Sequence, residues 1–210
     1  MNISGLARII KVNIILFAYG GLISVFSFLF ILFVEYSQDS VVLNNSISIL
    51  GILRGIIYCL SIAILEEILF RYLFLNSWIK NKNKPFNKRV LYLGLISSLV
   101  FGFLHLNLDE FPLFQINLTF SGISMFYATY KFRNVSIAIG MHFFWNLIQG
   151  VIFPFQGSGS GLESFFIMEN EVMVYPEGSS YIVVSVILEI IIITLLSWVH
   201  PSFRDCAEIT

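Results

Sequence analysis

Apolar residues run through this chain in long blocks separated by short polar breaks, without the strict alternation of a barrel strand. Six blocks, near 14–34, 48–76, 90–107, 114–130, 135–153 and 181–199, approach the roughly 20 residues that cross a hydrocarbon layer of about 30 Å. Each predicts a helix, because a spanning segment has no water to satisfy its backbone. The fourth block is among the shortest. The expected fold class is all-α: a polytopic membrane helical bundle of about six transmembrane helices, one integral membrane domain over 1–210, without internal repeat or soluble domain.

Composition strengthens this reading, since 57% hydrophobic against 12% charged residues and a mean hydropathy of +0.85 exceed what a soluble core needs. Net charge is only −1, but its placement is uneven. Arg8 and Lys11 precede the first block, Lys80, Lys82, Lys84, Lys88 and Arg89 follow the second, Lys131 and Arg133 follow the fourth, and Arg204 follows the sixth. The intervening breaks carry Glu35 and Asp39, Asp109 and Glu110, then Glu163, Glu169, Glu171 and Glu177, with no Lys or Arg. Positive charge stays cytoplasmic, so both termini are expected inside. The first block lacks a cleavage pattern and reads as a retained span. Residues 154–180, with Gly157-Ser158-Gly159-Ser160-Gly161, read as a mobile connector. Cys59 and Cys206 suggest no disulfide, and Cys206 stands fifth from the end, so the tail is not a CAAX box.

Against this background Glu66, Glu67 and Arg71 interrupt the second block. An ionisable group at membrane depth costs at least about 2.5 kcal/mol, so three within two turns must pair, face a wet cavity or do chemistry. Glu67 and Arg71, four apart, are placed to pair on one helix face, leaving Glu66 without a counter-ion of its own. Two of the three histidines also fall inside spans: His105 closes Phe101-x-x-x-His105 and His142 opens His142-x-x-x-Asn146. Glu66 with His105 could activate a water for attack on a carbonyl, and His142 with Asn146 could donate to the oxyanion. A two-histidine, one-carboxylate zinc site of Glu66, His105 and His142 stays open beside it.

Glu66-Glu67-x-x-x-Arg71, Phe101-x-x-x-His105 and His142-x-x-x-Asn146, in that order on separate helices, resemble the motifs of the CAAX-protease and bacteriocin-processing (Abi) family of intramembrane proteases. The resemblance covers about residues 60–150, within a motif-bearing core of about 48–153. It implies a helical bundle whose site opens to the cytosol, with Glu66 as catalytic base, His105 as its partner, His142 and Asn146 as oxyanion donors, Glu67 and Arg71 as a structural pair, and no metal. The function expected is an intramembrane endopeptidase acting near the cytoplasmic side, in CAAX-type or peptide-precursor processing. The alternative is a non-proteolytic bacteriocin self-immunity or scaffold protein. Expected partners are the lipid bilayer and a peptide or protein precursor, not nucleic acid, in the cell membrane or, in a eukaryote, the endoplasmic reticulum.

Depth tests the constellation, because cooperating groups must lie at one height. At about 1.5 Å per residue, Glu66 lies roughly 15 Å in from Trp78 and His142 roughly 12 Å in from Asn134, whereas His105 lies roughly 20 Å in from Tyr92. His105 is the outlier, unless its helix starts near Pro85 or tilts. Arg54 and Glu189, two further intramembrane charges, either pair with one another or stay apart, Arg54 snorkelling outward and Glu189 protonated. Most of the 22 Phe and 9 Tyr are expected to face lipid or the interface.

Overall fold

Each apolar block becomes a helical rod in the computed structural model, which describes residues 3–35, 41–80, 88–105, 113–153, 162–168 and 179–198. The helices are α1 (Ile3–Glu35), α2 (Ile49–Glu67), α3 (Leu73–Lys80), α4 (Lys88–Leu104), α5 (Leu113–Phe132), α6 (Ser136–Leu147) and α7 (Ser179–Trp198). A π-turn at Ile68–Tyr72 joins α2 to α3, and a second at Ile148–Ile152 extends α6. With α2 and α3 joined, the described residues form six rods, the number the apolar blocks predict.

The bundle carries apolar side chains on its outside as well as within: Phe26, Ile57, Leu65, Leu104, Leu195 and Trp198 are all exposed. Water penalises such a surface, and hydrocarbon does not. Gly5–Ile31 and Ile49–Ile79 are long and apolar enough to cross a membrane, and Ser136–Ile152 and Val186–Trp198 are shorter apolar helices.

Central α6 packs against α1, α2 and α5, while α5 packs against α4 and α7. The α1–α6 seam depends on small residues. A Cβ at Gly20 would collide with the backbone of Ile137, and one at Gly140 with that of Phe17. Ser24 Oγ also donates to the Met141 carbonyl across the seam, at 2.6 Å. Association of apolar helices needs close backbone approach and interhelical hydrogen bonds, because lipid supplies no hydrophobic drive between them. The turn before α6 is anchored as well. Arg133, at φ 50°, donates through Nη1 to the Trp78 carbonyl at 3.2 Å and lies 4.1 Å from the centre of that indole. Asn134 Oδ1 then accepts from Ser136 N at 2.8 Å, holding the first turn of α6.

The structure bears on three expectations. Six Phe among the described residues are core, namely Phe28, Phe70, Phe101, Phe126, Phe132 and Phe143, and Trp78 stacks on Tyr130 at 5.1 Å. The helices leave gaps that planar rings fill edge to face. The long connector is not free along its whole length, since Phe166–Met168 pairs antiparallel with Val41–Leu43. Glu163 Oε2 accepts from both N and Oγ of Ser48 at 2.8 Å, while Ser48 Oγ caps α2 at Gly51 N. These bonds hold the Glu163 carboxyl below its ordinary range, and its charge suits the positive end of α2. The stretch Gly157–Gly161 lies outside the described residues. Arg54 and Glu189 do not pair. Arg54 is exposed on α2, whereas Glu189 is buried on α7 and accepts from Ser121 Oγ of α5 at 2.9 Å.

Candidate active site

Three rods, α2 with its π-turn, α4 and α6, bring the three motifs together. Arg71, in the first π-turn, donates through Nη1 to Glu67 Oε1 at 2.7 Å, and both side chains are fully buried. The i,i+4 pair read from the sequence therefore forms, across a turn that widens into a π-turn at Ile68. Such turns recur at functional sites because the extra residue redirects the side chains that follow. Glu67 Oε1 also meets His142 Nδ1 of α6 at 2.9 Å. An ionised carboxylate only accepts, so His142 Nδ1 carries the proton of that bond and its Nε2 faces the other way. There Nε2 stands 3.7 Å from Glu66 Oε2.

His105, just past the end of α4, is held in the same manner. Its Nδ1 donates to the Phe101 carbonyl at 2.8 Å, and its Nε2 stands 3.6 Å from Glu66 Oε2. The depth mismatch counted along the sequence is thus closed in three dimensions. Glu66 is not left alone either, because both imidazoles face it. At 3.6 and 3.7 Å these contacts exceed direct hydrogen bonds, and Glu66 Oε2 is a buried atom with no hydrogen-bond partner among the described residues.

Phe101 fills the space between these groups. Its ring centre lies 4.5 Å from the Arg71 guanidinium carbon, 4.7 Å from the His105 ring and 5.8 Å, edge-on, from the His142 ring. A smaller residue would free both imidazoles and remove the π-face over the guanidinium. Asn146, one turn beyond His142, is buried at 3% exposure. His105, His142 and Asn146 line a common cavity with about 60 Å³ of room for water centres. Residues 48–148 match the family model for the type II CAAX prenyl endopeptidase Rce1-like proteins. That match supports the resemblance of the three motifs to the CAAX-protease and bacteriocin-processing family. That family is one of proteases, and its members are membrane proteins. The match spans the helices that carry all three motifs and leaves α1 and α7 outside it. No curated protein and no solved structure matches.

Two features of this fold escape sequence reading. One is the bond from His142 to Glu67, which makes Glu67 more than half of a structural pair. Only the motif order hinted that the first and third motifs share a site. The other is the rest of the cavity wall: Ser24, Asn117, Ser121, Ser124, Gln149 and Glu189, polar groups on four rods. As to metal, the described residues contain no group of three His, Cys, Asp or Glu disposed to hold an ion. Glu66 Oε2 lies 3.6 and 3.7 Å from the two Nε2 atoms, so the three candidate ligands do lie side by side.

Proposed function

We propose that this protein is an intramembrane endopeptidase that hydrolyses a peptide bond near the cytoplasmic side of the membrane, with Glu66 and His105 activating the water. The observation that carries the reading is Glu66 Oε2, buried and unpartnered between two imidazoles whose outer nitrogens are anchored elsewhere. A gap of 3.6 to 3.7 Å suits a shared water. His105 Nδ1 donates to Phe101 O, so His105 Nε2 is free to accept a hydrogen bond from the water and orient it, while Glu66 takes the water's other proton. The water oxygen attacks the carbonyl carbon, the C–N bond breaks from the tetrahedral intermediate, and Glu66 returns its proton to the leaving amine.

The oxyanion falls to Asn146 Nδ2 and His142 Nε2. His142 donates through Nδ1 to Glu67 and through Nε2 to the oxyanion, with Glu67 and Arg71 holding the ring in place. Purified protein assayed on peptide substrates should be inactive as His105→Ala, and slowed about 10²- to 10³-fold as His142→Ala or Asn146→Ala. Phenanthroline should leave the wild type unaffected. Stoichiometric zinc, with activity removed by phenanthroline and restored by metal, would refute the glutamate mechanism and make Glu66, His105 and His142 the ligands.

The orientation proposed with this site is multi-pass, with both termini and residues 81–87 on the cytoplasmic side, where Lys and Arg collect. An impermeant thiol reagent added outside intact cells is expected to label Glu169→Cys and not Lys84→Cys. The reverse pattern would overturn the orientation.

A further inference from the structure

The catalytic cavity has a second wall, and its chemistry is one-sided. Glu189 of α7, Ser121 and Ser124 of α5 and Ser24 of α1 line the same cavity as His105, His142 and Asn146. Every hydroxyl proton in this group is already engaged. Ser121 Oγ donates to Glu189 Oε1 at 2.9 Å, Ser124 Oγ to the Ser121 carbonyl at 2.9 Å, and Ser24 Oγ to the Met141 carbonyl at 2.6 Å. The serine oxygens keep the capacity to accept. Glu189 itself is 9% exposed, and its Oε2 has no hydrogen-bond partner among the described residues. Among the described residues lining the cavity there is no Lys or Arg, and the nearby Arg71 donates through Nη1 to Glu67 and through Nη2 to the Gly122 carbonyl. Asn117 and Gln149 add amides that can donate or accept.

A buried carboxyl group that lines this cavity with one oxygen unpartnered among the described residues is an acceptor that the protein itself leaves unsatisfied. A helix in contact only with lipid and its neighbours gains nothing from a glutamate at this point. The buried face of α7 is otherwise Leu188, Ile192 and Leu196. We infer that Glu189, with Ser121 and Ser124, forms a substrate subsite for a cationic donor, the ammonium or guanidinium of a basic residue close to the scissile bond. This assignment rests on the endopeptidase reading and adds the substrate class to it. The cation would donate to Glu189 Oε2 and to the serine oxygens together, and its charge is complementary to the Glu189 carboxyl. A substrate with an acidic group at the same position is rejected by the same wall.

Binding separates the two readings, because it does not require cleavage. In a Glu66→Ala background, a fluorescent membrane peptide carrying Lys or Arg is compared with the same peptide carrying norleucine, each with a free or acetylated N-terminus, in bilayer nanodiscs. The basic peptides are expected to bind about tenfold more tightly, the size of one charged hydrogen bond. That ratio should fall to about one in Glu189→Gln and in Glu189→Leu, and persist in Glu189→Asp. The Leu variant suits a buried helix face and keeps the test available if Gln misfolds, with melting temperature read on every sample. If only the free N-terminus confers the preference, the cation is the α-amino group rather than a side chain. Equal binding of basic and norleucine peptides, or a preference unchanged in Glu189→Gln and Glu189→Leu, overturns the subsite. If basic preference in binding depends on Glu189 while the wild type cleaves none of the peptides, the subsite stands and the protease reading fails.

Discussion

Glu66→Ala is expected to fold and to cleave no peptide at a measurable rate, with kcat/KM falling about 10³-fold or more, within the range for loss of a positioned general base. The geometry explains why folding survives. Glu66 Oε2 has no hydrogen-bond partner among the described residues, and the imidazoles it faces are each anchored through their other nitrogen, His105 to Phe101 O and His142 to Glu67. Removing the carboxylate therefore takes away the acceptor of the water proton and leaves its surroundings in place. Glu66→Gln should be equally inactive, because the amide keeps the shape and loses the basicity. The measurement is peptide hydrolysis together with melting temperature in detergent. The biological effect of the protein must be read beside it: a full effect in Glu66→Ala cells would remove both the mechanism and the endopeptidase, leaving the non-proteolytic immunity or scaffold role.

Arg71→Ala should do the reverse, damaging the fold first. Arg71 and Glu67 are fully buried and 2.7 Å apart, and deleting one member of a buried pair strands the other at about 3 to 5 kcal/mol. The loss spreads, because Glu67 also holds His142 and the guanidinium lies against Phe101, which supports both histidines. Folded yield and melting temperature are expected well below those of Glu66→Ala. The double variant Glu67→Gln with Arg71→Gln should recover part of the stability without the activity, since no charge is then stranded while His142 still lacks its ionic anchor. Equal yield and melting temperature for Arg71→Ala and Glu66→Ala would show that the pair is not what supports the site.

The sequence was most informative where physics acts locally. Hydrophobic blocks long enough to span a bilayer give six rods because an unpaired backbone cannot persist in hydrocarbon, whatever the neighbours. Glu67 and Arg71 could be paired from spacing alone, since i,i+4 side chains meet on any helix. Glu66, His105, His142 and Asn146 stood out because polar groups at that depth are rare. The same local logic left Arg54 and Glu189 open, to pair or to stay apart. Depth says nothing about which way a side chain points, and Arg54 is exposed while Glu189 turns inward to Ser121.

What the tertiary structure alone decided is the set of contacts between residues far apart in the chain. No spacing rule joins Glu67 to His142 across 75 positions, or places both Nε2 atoms beside one oxygen of Glu66. Those contacts depend on the π-turn at Ile68–Tyr72, on the glycine seam that lets α6 approach α1, and on the end of α4, where His105 turns to Glu66. Side chains on a single helix are positioned by its own periodicity, so their relations can be read from order. Side chains on different helices are positioned by packing, which depends on every ring, glycine and turn between them, and so the polar wall around Glu189 appears only once the rods are assembled.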